Sequence, residues 1–61
     1  MVRIDYVYKN KMGTWKNTSK TFDSISKAVR FIYVIMDSQN MVYDGFTCTS
    51  YEETNEMLRR L

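Results

Sequence analysis

Sixty-one residues with no proline, no histidine, one cysteine and a net charge of only +2 leave room for one domain spanning residues 1–61. Such a chain hides only about 60% of the surface that its unfolded form exposes. With Cys48 alone and no histidine, neither an internal disulfide nor a structural zinc site can reinforce the fold, so self-association is the reinforcement left open.

Val2, Ile4, Tyr6 and Tyr8 alternate with Arg3, Asp5, Val7 and Lys9. That period of two predicts a strand with one buried face. Asn10–Gly13 reads as a turn, with Gly13 where a positive φ is needed. Thr14–Thr21 reads as a poorly buried second strand whose one large apolar residue is Trp15; Lys16 and Lys20 suit an edge that resists pairing with strangers.

Asp23 or Ser24 is placed to cap a helix over Ser24–Ser38. At roughly 100° per residue, Ile25, Ala28, Val29, Ile32, Ile35 and Met36 share one stripe, with Ser26, Arg30 and Asp37 on the opposite side. Gln39-Asn40 is the expected stop, since Asn tolerates the left-handed conformation that ends helices. Met41–Cys48 reads as a third strand interrupted by Asp44-Gly45, either a hairpin turn or a bulge; the short flanking segments favour the bulge. Ser50–Glu53 forms a capping box that would satisfy two orphan amides. Glu52 and Glu53 open this last helix and Arg59 and Arg60 close it, as its dipole prefers, with Tyr51, Met57, Leu58 and Leu61 as its apolar face.

These elements predict an α+β class: a small two-layer β-β-α-β-α domain. Its three-stranded antiparallel sheet has order 2-1-3, with one long helix packed on it and a short C-terminal helix. The helical connection from the second strand to the third should be a right-handed crossover.

Chemistry is sparse. No histidine supplies a general base, and Cys48 in its strand context reads as a small buried hydrophobe. Asp37-Ser38-Gln39-Asn40 departs from a calcium loop, and two glycines cannot build a phosphate loop. No catalytic, cofactor-binding or metal-binding residue is expected, and no enzyme. The run from Phe31 to Met36 is too short to span a membrane, and the first residues lack a signal-peptide pattern, so a cytoplasmic location is the default.

Two surfaces remain as candidates. Phe31, Tyr33 and Val34 fall outside the main stripe of the long helix: either the last helix folds back over Phe31, or Val34 is a single exposed residue of no consequence, or the three form a contact patch for another chain. On the first hairpin Tyr6, Tyr8 and Trp15 sit among Lys9, Lys11, Lys16 and Lys20, a mixture that can hold single-stranded nucleic acid by stacking and phosphate contact. Against it, Tyr6 and Tyr8 share a strand face with Val2 and Ile4, and the net charge is small for such a binder. Residues 1–30 carry seven basic against two acidic side chains, and residues 31–61 two against five, which can steer a charged partner or let two copies meet.

In general character (short, proline-free, rich in Lys, Asn and Tyr, with no catalytic set) the chain resembles small accessory proteins of bacteriophages and other mobile elements. That resemblance implies a module that binds and blocks a host protein. The leading expectation is a non-enzymatic protein-binding module that also forms a homodimer; the alternative is a single-strand nucleic-acid binder using Lys9, Lys11, Trp15, Lys16 and Lys20.

Overall fold

The computed structural model describes all residues from Met1 to Leu61. Its elements run β1 (Val2–Lys9), β2 (Trp15–Phe22), α1 (Ile25–Met36), β3 (Met41–Cys48) and α2 (Tyr51–Arg60). The sheet has the expected order β2-β1-β3, with both pairings antiparallel.

Asn10 organises the first turn. Its side-chain oxygen accepts from the amides of Met12 and Thr14 at 2.9 and 3.0 Å, and its carbonyl accepts from Gly13 at 3.0 Å. Gly13 adopts φ +81°, which a side chain would disfavour. The turn fixes the register, pairing Tyr8 with Lys16 and Lys9 with Trp15.

The Asp44-Gly45 segment is a bulge inside one strand. Tyr6 pairs with Tyr43 while Asp5 pairs with Gly45, so Asp44 is the extra residue. The insertion reverses the alternation of β3 at its middle. Met41 and Tyr43 before it, and Phe46 and Cys48 after it, therefore all share the face of Tyr8, Tyr6, Ile4 and Val2. Gly45 takes φ +147° in this arrangement.

On that face lies α1, whose Ala28, Val29, Ile32 and Ile35 are buried with Val2, Ile4 and Met57. The Ser24 hydroxyl caps α1 by accepting from the Lys27 amide at 3.2 Å. α1 departs from its sequence pattern at two places. The helix ends at Met36 without a left-handed residue at Asn40, because no residue other than glycine has a positive φ. Instead Asp37 donates to the Tyr33 carbonyl, Ser38 to that of Ile35, and the Asn40 amide to the Ser38 hydroxyl. Met36, assigned to the core stripe, is 63% exposed. Arg60 of α2 bonds to Ser26 and Tyr33 of α1, and Met36 lies nearly a turn beyond Tyr33.

The apolar face read for α2 is also narrower than expected. Met57 is buried, whereas Tyr51, Leu58 and Leu61 are exposed. The side of α2 that meets the body carries Glu53, Thr54, Glu56 and Met57, roughly 130° round the helix from Tyr51 and Leu58. The capping box forms in half: Ser50 Oγ accepts from the Glu53 amide at 3.2 Å. The Glu53 carboxylate does not return to the Ser50 amide. It accepts from the hydroxyls of Thr49 and Ser50 and from the amino group of Met1, which ties β1 to α2.

Candidate protein contact surface

The twelve residues of α1 must present a side away from the sheet, and the sequence puts two large apolar residues there. Tyr33 is 55% and Val34 52% exposed, and with Met36 they border a shallow depression closed at its rim by Arg30 and Asp37. Arg30, Tyr33, Val34 and Asp37 follow the i, i+3, i+4, i+7 spacing of one helical ridge. The Tyr33 phenol donates to the Arg60 carbonyl at 3.4 Å, so α2 fixes the ring from the side and leaves its outer face open. Arg60 is held in turn by Ser26 at 3.0 Å and by Glu56. Arg30 and Asp37 take no part in any ion pair within the chain.

Phe31 does not join this surface. It lies two residues from Tyr33 and so roughly 200° around the helix. There it packs with Tyr6 and Phe22, ring centroids 5.2 Å away in each case. The sheet, rather than the last helix, covers it. Arg30, Met36 and Asp37 are the members that sequence reasoning left out. Arg30 and Asp37 were legible as the i−3 or i−4 and i+3 or i+4 neighbours of Tyr33 and Val34, while Met36 was hidden by its place on the core stripe.

The basic and aromatic set of the first hairpin is divided between the two faces of the sheet. Residues paired across an antiparallel ladder point the same way. Lys16 and Lys20 therefore share the helix face with Tyr8 and Ile4, while Trp15 and Lys9 share the open face. Lys20 Nζ stands 5.2 Å from the Phe31 ring centroid and 5.7 Å from that of Phe22, a cation over the aromatic cluster. Lys11 lies in the exposed turn. The open face carries one aromatic ring, Trp15, with Val7, Val42, Arg3 and Lys9, and Asp5 stands on the same side of β1.

The shifted titrations all run away from neutrality. Asp23 is lowered by the hydrogen bond and charge of Lys27, and Glu53 by hydrogen bonds from the Met1 amino group and Thr49. Burial, then the charge of Asp5, pushes the Tyr43 phenol up. No three carboxylate or thiol side chains gather into a metal-binding group, and no helix is long and apolar enough to cross a membrane. Compared with protein-family profiles, curated proteins and solved structures, the chain matches none.

Proposed function

We propose that this chain is a non-enzymatic protein-binding module that works through the outer side of α1. The observation that carries the reading is the ridge Arg30, Tyr33, Val34 and Asp37, with two large exposed apolar residues at its centre and one unpaired charge of each sign at its ends. An apolar centre with a charged rim is the usual anatomy of a protein–protein contact. Tyr33 suits the centre, because its phenol is already anchored on Arg60 and loses little freedom on binding. In its finer form the module covers a surface of another protein and so blocks it, which needs a shaped contact and no catalytic group.

The nucleic-acid alternative has less support. The ladder separates Lys9 and Trp15 from Lys16 and Lys20: the open face holds a single ring, and on the helix face Tyr6, Phe22 and Phe31 beside the lysines are packed against the core.

The test compares affinity-tagged wild type with Val34→Glu and with Val42→Glu, which places the same charge on the open sheet face. A complex containing a second protein chain, resistant to nuclease, lost in Val34→Glu and kept in Val42→Glu, is the expected result. A complex that nuclease disperses, or one lost only in Val42→Glu, overturns the reading.

A further inference from the structure

The charges at the two ends of the α1 ridge are arranged for a particular occupant. Arg30 lies three residues before Tyr33, and Asp37 lies three residues after Val34, so the ridge is symmetric about the point between Tyr33 and Val34 with its charges reversed. A two-fold axis through that point lays a second α1 antiparallel on the first. Tyr33 then faces Val34 of the second copy, and Arg30 faces its Asp37, twice over by symmetry. Both charges are free for this role, since all five ion pairs of the chain use other residues. Parallel stacking would instead set Arg30 against Arg30 and Asp37 against Asp37.

Resting on the reading of this ridge as a contact surface, we infer that its partner is a second copy of the same chain, docked as an antiparallel α1 pair closed by two reciprocal Arg30–Asp37 ion pairs. A helix pair of this length buries less than a standard interface, so the dimer forms at micromolar or higher concentrations. It also stiffens a domain too small to bury a large core. Like charges placed opposite one another at a contact are costly, and the two-fold axis doubles every such error.

Sedimentation equilibrium from micromolar to millimolar protein tests this with charge exchanges at exposed positions, with circular dichroism to verify folding. Arg30→Asp alone and Asp37→Arg alone should each weaken dimerisation by roughly tenfold or more. The double variant should restore it. An equimolar mixture of the two single variants should form a heterodimer, since that pairing alone has opposite charges at both ends. A wild type that keeps the 7.3 kDa mass of one chain throughout overturns the inference. So does a dimer indifferent to these exchanges. If either result appears while Val34→Glu still abolishes binding of a different protein, only the identity of the partner is overturned. If no contact with any protein depends on Val34, the underlying reading falls as well.

Discussion

The rings of Tyr6 on β1 and Phe31 on α1 meet edge to face, with centroids 5.2 Å apart and planes inclined at 76°. Phe22, at the last position of β2, closes on Phe31 from a second side at the same centroid distance. An aromatic residue that falls outside the main stripe of α1 thereby becomes part of the seam between helix and sheet. Only Tyr33 and Val34 of the three apolar residues outside that stripe then remain open on the outer side.

Phe31→Ala should lower stability by about 2–4 kcal/mol, through lost burial and two lost aromatic contacts. Phe31→Glu should unfold the domain rather than yield a folded chain defective in binding. Urea denaturation followed by circular dichroism checks both. A Phe31→Glu chain as stable as wild type would contradict the packing described.

Ile32 is fully buried at the centre of the α1 stripe. Ile32→Ala should cost about 2–5 kcal/mol, comparable to the whole stability of a domain this small. The expected outcome is a chain largely unfolded at room temperature. A midpoint that barely moves would mean that the core lies elsewhere.

The difference between these residues shows what the sequence could and could not convey. Ile32, the β1 alternation, Ser24 and Ser50 were legible because each expresses a local rule of period or capping. The fate of Phe31 was not, because it depends on Phe22 arriving beside it through long-range pairing. The two-faced division of Lys9 and Trp15 from Lys16 and Lys20 needed the register. That register follows once the Asn10 turn is counted, because each ladder partner shares a face. The charged ends of the α1 ridge were visible as spacing, but their freedom from other ion pairs could be known only from the folded chain.

The bulge offers a coupled test. Gly45 has φ +147° with open space where a Cβ would sit, so Gly45→Ala costs conformational strain and no clash, about 1–3 kcal/mol. Deleting Asp44 removes the extra residue and leaves Gly45 opposite Asp5 in a regular ladder, with Phe46 still opposite Ile4. In that shortened chain Gly45→Ala should cost clearly less. Equal costs in both backgrounds, measured by thermal denaturation, would show that the bulge does not impose the glycine conformation.

Acid should destabilise the fold through Asp23 and Glu53. Both carboxylates titrate below their ordinary values of 3.8 and 4.5, Asp23 chiefly by the Lys27 hydrogen bond and Glu53 chiefly by that of the Met1 amino group. A carboxylate with a depressed folded value contributes stability that is fully present above its unfolded value and is lost as pH falls through the folded one. Melting temperatures should therefore decline from about pH 4 downward, and the decline should be shallower in Asp23→Asn with Glu53→Gln. Asp23 is exposed and Glu53 only half-buried at the surface, so the effect is modest and shrinks in high salt. An acid limb unchanged in the double variant would place the pH sensitivity in other groups.

The central claim is that the outer side of α1 is where this chain meets another protein. Replacing Val34 with a photo-crosslinking amino acid tests it most directly, with the same probe at Thr47 on the open sheet face as the comparison. Protein adducts are expected from position 34, competed away by excess wild type and not by Val34→Glu, and few from position 47. Adducts confined to position 47, or adducts to nucleic acid from either position, would contradict it.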